Sequence, residues 1–331
     1  MKKNALHTIT RRRALQTGAS LMASAFAWPT FAQSTYPDRP IRLVVPYPAG
    51  ALTDSLGRLV ADRLRPVLNQ PVVVENRPGA GTLLGASQVA KSAPDGYSLI
   101  VATSTTLAIS PAMFASPPAV AADFVGVAMI GSVSLLLVTR PDLPARNLSE
   151  LVALMRKEPG RFNYASPGKG TMHHLLVEMI NAQEKLTATH VPYQGSMAAL
   201  TDLLTGRVDF MFIDAVAGLP QIQAKKVNVL AVAAPKRMSL LPQVPTVAET
   251  FPNVDIQAWQ SIAAPRGTPA AIVNKLNADI NKLLESEDVR ETLLRSGVAA
   301  NPMSVPALNA LIAKDEKRFA DLVAAAGVKA N

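Results

Sequence analysis

The sequence predicts an α/β protein of two lobes, each a mostly parallel sheet flanked by helices, with a ligand cleft between them. Three observations carry this reading. Short apolar, β-branched runs alternate with amphipathic helical stretches, and that rhythm implies right-handed parallel crossovers. The rhythm occurs twice, on either side of a long β-rich stretch at 127–139 that contains Gly131, Ser132 and Ser134. Helical segments remain after the second series and need a surface, so the economical path returns the end of the chain to the first lobe.

Residues 41–46 form an apolar run, read as a buried strand. A loop at 47–52 follows, and Thr53 is placed to cap the next helix with Asp54 in its first turn. Leu56, Leu59, Val60 and Leu64 then fall on one helical face, opposite Arg58, Asp62 and Arg65. Residues 72–74 read as a strand, 81–91 as a helix and 98–102 as a strand after the Pro94-Asp95-Gly96 turn. The stretch 127–139 reads as two strands joined by a kink, which suits a passage between lobes. Helix 148–157, strand 161–165, helix 171–182, strand 189–192, helix 196–205 and strands 208–213 and 227–233 follow. The Pro-rich stretch 235–252 reads as an extended connection. A strand at 259–264, a long helix opened by Thr268-Pro269 and ending at 285, and helices 288–296 and 306–325 complete the series. The expected division is an export signal at 1–32, the first lobe at 33–134, the second at 135–250, and the return to the first at 251–331.

The formal net charge of +9 is unevenly placed. Lys2, Lys3, Arg11, Arg12 and Arg13 lie within the first 32 residues, which hold no acid. Beyond them 28 basic residues face 24 acidic ones, singly scattered. Nucleic-acid binding needs a clustered basic stripe, and aromatic residues at 5% are sparse for base stacking, so nucleic acid is not an expected partner. The basic start, the small apolar stretch 14–26 and Thr30-Phe31-Ala32 read as an export signal cleaved near Ala32. The run 10–15 fits a twin-arginine signal as well as an ordinary basic leader. No later stretch is long and apolar enough to span a bilayer. With no cysteine, disulfides, thiolate metal sites and thiol catalysis are excluded.

Three loops join a strand end to a helix start and can aim free backbone N–H groups at one point, which suits an anion. The first holds Pro48, Ala49, Gly50, Ala51, Thr53 and Asp54; the second Ser166, Gly168, Gly170 and Thr171; the third Tyr193, Gly195 and Ser196. Each alone is equally well a plain βα loop. The second is not a phosphate-binding P-loop, because Gly168-Lys169 is followed by Gly170 and position 163 is Asn. Gly79, Gly81 and Gly85 mimic a dinucleotide fingerprint, but no acid ends the next strand, so they read as turn and close-packing glycines. His173 and His174 are adjacent on a helix, point about 100° apart and do not share a metal easily. His174 reads as a packing or loop-bracing residue. Asp209 and Asp214 flank a strand without forming an acid/base pair. No metal, no cofactor and no catalytic residue is expected.

Several runs together resemble the extracytoplasmic solute receptors of tripartite tricarboxylate transporters, the Bug-type receptors. They are Tyr36-Pro37-Asp38-Arg39-Pro40-Ile41, residues 74–81 (Val-Glu-Asn-Arg-Pro-Gly-Ala-Gly), Pro94-Asp95-Gly96-Tyr97, residues 166–174, Val191-Pro192-Tyr193-Gln194-Gly195, residues 241–246 and residues 264–269. The resemblance implies a two-lobe periplasmic-binding-protein fold of type II with a hinge. It implies a periplasmic, monomeric receptor that holds a small carboxylate ligand between the loop at 49–54 and those at 166–171 and 193–196, partly through ordered water. Membrane transporter subunits are the implied partners. Ser104, at a strand end beside Thr103, and Asp214 are implied as further wall positions, and His174 completes the expected ligand-binding set. The rival reading is an exported hydrolase or lyase of small organic acids using Asp214 or His174; a ligand sensor presenting its closed form to a signalling partner is another. In the family's pattern a second glycine and a hydroxyl follow Gly50. Here Ala51 and Leu52 stand instead, which predicts a more apolar pocket mouth and a ligand with an apolar or aromatic body. Trp259, just after the return from the second lobe, is expected near the hinge or cleft wall.

Overall fold

The computed structural model describes residues 36–254 and 256–329. The expected export signal, with its twin-arginine run and Ala32, lies outside the described residues. β1 (Ile41–Val45) is followed by α1 (Leu52–Leu68), β2 (Val72–Asn76), α2 (Leu83–Ala90) and β3 (Ser98–Thr103). Leu56, Val60, Leu64 and Leu68 recur every four residues along α1 and are buried, whereas Arg58, Asp62 and Arg65 are exposed. Thr53 is not the cap of α1. The cap position is Ala51, which gives no side-chain hydrogen bond. Instead Asp54, third in the helix, reaches back to accept from the Gly50 N–H at 2.9 Å. The bond resembles the acid half of a capping box but reaches one residue further back, to the N–H before the cap position.

After β3 the chain forms a π-helical turn (Thr105–Ile109) running into α3 (Ser110–Met113). Threonine-rich sequence favours strand, but here the Thr103 hydroxyl accepts from the Thr106 N–H at 3.1 Å and starts a turn. β4 (Phe124–Val133) and β5 (Leu135–Thr139) are separated by Ser134 alone. The second series is α4 (Leu148–Lys157), β6 (Asn163–Ser166), α5 (Met172–Glu184), β7 (Thr189–Pro192), α6 (Ser196–Leu204), β8 (Phe210–Asp214), α7 (Ala215–Gln223) and β9 (Asn228–Ala233). The chain returns through the short α8 (Val247–Thr250) to β10 (Ala258–Pro265), α9 (Ala270–Glu285), α10 (Glu287–Arg295), β11 (Val298–Ala300) and α11 (Val305–Ala326).

Two sheets result. One has six strands in the order β11-β4-β10-β3-β1-β2, the other five in the order β7-β6-β8-β5-β9. β1 runs parallel to β2 and β3, and β6 parallel to β7 and β8, as the crossover helices require. The remaining pairs are antiparallel: β10 with β3 and β4, β11 with β4, and β5 with β8 and β9. Each sheet is thus mixed where the sequence suggested a mostly parallel one. β5 follows β4 of the other lobe after a single residue and β10 follows the return connection with its short α8, and each runs against its neighbours. Gly131 permits the last strand to dock: a Cβ there would stand 2.5 Å from the Ala299 carbonyl oxygen. Each sheet has its own core. Val44, Ile100, Ala102, Met129, Ala263 and Leu308 belong to the first, and Leu136, Val138, Leu203, Met211, Ile213 and Val232 to the second. Among the described residues no helix is long and apolar enough to cross a membrane.

Candidate functional site

The carboxyl ends of β1, β3, β6 and β8 lead into loops and helix starts that meet between the sheets. In open α/β sheets this is where ligands sit. A small cavity of about 30 Å³ is lined from both lobes. Tyr47, Ala51, Leu52, Thr53, Ser104 and Gln260 come from the first lobe; Met172, His173, Gly195, Ser196 and Asp214 come from the second. It adjoins a cleft of about 360 Å³ that includes Pro48, Gly81, Gly168, Lys169, Thr171 and Tyr193. Tyr47, Pro167 and Gly195 border both spaces.

The helix starts differ in what they leave free. The starts of α1, α6 and α7 have no side-chain cap, and residues at the starts of α1 and α6 line the cavity. α5 is already satisfied. Its Thr171 cap accepts from the His174 N–H, and the Met172 N–H donates to the Thr105 hydroxyl of the other lobe at 3.2 Å. At Gly195 the backbone has φ +113°, and a Cβ would stand 3.2 Å from Pro48 Cγ. Both the conformation and the close approach of the first loop demand glycine there.

Side chains around the cavity fall into two groups. Some are committed to the fold. The Tyr47 hydroxyl lies 3.3 Å from the Thr103 hydroxyl, and burial pushes its phenol up to about 12, so it stays protonated at neutral pH. Gln260 donates its amide N–H to the Thr53 hydroxyl at 3.1 Å. The Ser196 hydroxyl donates to Asp214 at 3.2 Å. Others are not committed: neither ring nitrogen of His173 has a partner, nor has Gln260 Oε1. The apolar share of the lining includes Leu52, Val133, Leu135 and Met172.

Behind the second loop stands an aromatic stack. His174 and His190 lie face to face with centroids 4.0 Å apart, and Tyr164 continues the stack 4.8 Å from His190. Burial, then the nearby Lys169, holds His174 down to about 4. Burial, with His174 and Lys169 beside it, takes His190 down to about 3. Both rings are therefore neutral at neutral pH. His190 Nε2 meets the Ser166 hydroxyl at 2.6 Å, and His174 Nδ1 accepts from the Gly170 N–H at 3.4 Å. The pair fixes the loop from behind.

Of the residues expected from sequence, Ala51, Thr53, Ser104, Gly195, Ser196 and Asp214 line the small cavity. Pro48, Gly168, Thr171 and Tyr193 line the adjoining cleft. Ala49, Gly50, Asp54, Ser166, Gly170 and His174 line neither space. Asp54 is buried and engaged by the Gly50 N–H, Arg58 and Asn76, which together hold its carboxyl below the usual range despite its burial. It shapes the first loop from behind. Gly170 carries φ +82° and presents its carbonyl to Ser110. Tyr47, Thr105, Met172, His173 and Gln260 line the cavity without having been expected. Tyr47, His173 and Gln260 each adjoin an expected position, Gln260 through Trp259, and were within reach of the sequence; the contact of Gln260 with Thr53 gave no local signal.

Residues 56–328 match the family described as the tripartite tricarboxylate transporter family receptor. The chain belongs to that family. It is a solute-binding receptor of a carboxylate transport family, not an enzyme. Protein BugT of Bordetella pertussis is 36% identical over 315 residues, covering 94% of this chain and 96% of its own. The structure of Rpa4515 of R. palustris with adipate superposes with a TM-score of 0.84 at 32% identity, over 89% of this chain and 99% of that one. The structure of MatC of Rhodopseudomonas palustris with bound malate gives 0.82 at 33% identity, over 87% of this chain and 100% of that one.

Proposed function

We propose that this receptor captures a small carboxylate-bearing solute in the periplasm and presents it, as a monomer, to the membrane subunits of a tripartite tricarboxylate-type transporter. The observation that carries the reading is the pair of uncapped helix starts, α1 from one lobe and α6 from the other, at one cavity. Each such end favours an anion by roughly 0.3–1 kcal/mol, more when buried, so several must act together for micromolar binding. Because they belong to different lobes, a carboxylate held by both favours the closed arrangement. The relatives bound to adipate and to malate support a carboxylate ligand. The candidate ligand-binding residues are Ala51, Thr53, Ser104, Gly195, Ser196 and Asp214 at the cavity and Pro48, Gly168, Thr171 and Tyr193 in the cleft.

The lobe boundaries at 134/135 and 250/251 are part of this reading, supported by the change of sheet between β4 and β5 and between β9 and β10. Export through the leader at 1–32, cleaved near Ala32 and read by either the twin-arginine or the general secretory route, is also part of it. Replacing Arg11, Arg12 and Arg13 with lysine blocks the twin-arginine route and leaves the general secretory route nearly intact, so an unchanged periplasmic yield removes the twin-arginine element alone. For the receptor reading, calorimetry of an acid against its own amide decides. Tight binding of the acid with loss in the amide is expected, and equal binding overturns anion capture.

A further inference from the structure

The formally charged lining of the cavity is one-sided. Asp214 supplies its one carboxylate, and neither Lys nor Arg is among the lining residues. That carboxylate accepts from the Ser196 hydroxyl, while His173 Nε2 stands 3.7 Å from its other oxygen, too far for a hydrogen bond. His173 is 8% exposed, with both ring nitrogens unpartnered. Gln260 is 7% exposed, with its N–H committed to Thr53 and its Oε1 unpartnered. Folded proteins leave few buried polar atoms unpaired, and these belong to two residues that line the cavity from opposite lobes, Gln260 on β10 and His173 on α5.

A plain carboxylate satisfies none of the acceptors. It brings only further acceptors, and a second carboxylate beside Asp214 meets like charge. An ammonium brings three N–H donors and the opposite charge. Its donors match in kind what the free oxygen of Asp214, Gln260 Oε1 and the acceptor nitrogen of His173 lack. We infer that the cavity selects acids that also bear a hydrogen-bond donor, best a protonated amine, with Asp214 and Gln260 taking that group and the starts of α1 and α6 taking the carboxylate. The inference rests on the carboxylate-receptor reading and narrows its substrate class.

The test uses matched acids that differ only in the amine: succinate with L-aspartate, glutarate with L-glutamate, 4-methylpentanoate with L-leucine and 3-phenylpropionate with L-phenylalanine. Affinities are measured by calorimetry on the mature protein. A charged hydrogen bond lost or gained in a buried site changes affinity by roughly tenfold or more, so in each pair that binds the amino acid should be tighter by about that factor. Asp214→Asn should bring the two members of each pair within about threefold, by weakening the amino acid and by relieving the like-charge repulsion of the plain acid. Gln260→Met, on the other lobe, should weaken the amino acid alone, and unliganded melting curves show that each variant folds. Equal affinities within the pairs, or a preference that survives both substitutions, overturn the inference and leave the receptor reading standing. If none of the acids binds, both fall.

Discussion

The hydroxyl of Ser110, on the first lobe, lies 2.9 Å from the carbonyl oxygen of Gly170 on the second. The same hydroxyl is 2.6 Å from the Gly81 carbonyl oxygen of its own lobe, so one side chain ties a first-lobe turn to the second-lobe ligand loop. Ser110 is wholly buried, and the Gly81 turn packs so closely that a Cβ there would stand 2.9 Å from the Lys169 carbonyl oxygen. Ser110→Ala leaves buried carbonyls unsatisfied, at a cost of about 1–3 kcal/mol. We expect the variant to bind its ligand several-fold more weakly and to show a larger radius of gyration by small-angle scattering. An unchanged radius and affinity would mean that the tie plays no part in closure.

The stacked histidines make stability pH-dependent in a defined direction. Both have folded-state values below their ordinary 6.5, about 4 for His174 and about 3 for His190, so the unfolded chain binds more protons in that window. Their contribution is complete above about pH 6.5 and declines as pH falls towards the folded values. The melting temperature should therefore fall from pH 6.5 to 4. His190→Phe keeps an aromatic ring against Tyr164 and His174 but removes one titration, so its melting temperature should decline less steeply over that range. An identical slope in the variant would assign the loss to other groups.

Much of this architecture was legible because it rests on local pattern. The fourfold spacing of Leu56, Val60 and Leu64 gave α1, and the glycine and serines in 127–139 marked the break at Ser134. Where geometry is set at a distance, the pattern was silent. Gln260 meets Thr53 across 207 positions of sequence. β11 is three residues long and exists because Gly131 lets it approach, which no propensity announces. α7 begins straight after β8 and contains Gly218 and Pro220, so no turn residue and no clean helical period flagged it. Asp54 was expected at the ligand as part of the loop 49–54 that the family resemblance implies; its engagement by the Gly50 N–H, Arg58 and Asn76 is set by tertiary contacts that the sequence does not display.

Leu52 is 2% exposed and contributes to the cavity lining beside Val133, Leu135 and Met172. A ligand body that covers these side chains gains roughly 25 cal/mol for each Å² of apolar surface removed from water. Acids with apolar bodies should accordingly bind better than citrate. Leu52→Ser removes most of that surface from the first loop, and calorimetry should show apolar-bodied acids weakened by about tenfold and small diacids weakened less. A wild-type protein that binds only small polyacids would contradict this use of Leu52.

Trp259 reports on the same site. Its indole N–H donates to Asp315 of α11 at 2.7 Å, and both residues are buried. Trp259 is among the residues around the cavity, its ring packs in the first-lobe core one position before Gln260, and β10 is the strand by which the chain returns from the second lobe. Residues 33–331 contain no other tryptophan, so the emission of a protein lacking 1–32 belongs to this ring alone. Ligand entry and lobe closure change the polarity around an indole at such a position. Emission should therefore shift saturably with a cognate acid, at the affinity found by calorimetry, and stay constant with the corresponding amide. Trp259→Phe tests the anchoring role separately. It leaves the Asp315 carboxylate without its indole donor in a buried setting and should cost about 1–3 kcal/mol by urea denaturation. Asp315→Asn keeps an acceptor for the indole and should cost less. A shift produced equally by acid and amide would place the change at Trp259 outside anion capture, and a stable Trp259→Phe variant would show that Asp315 finds another partner.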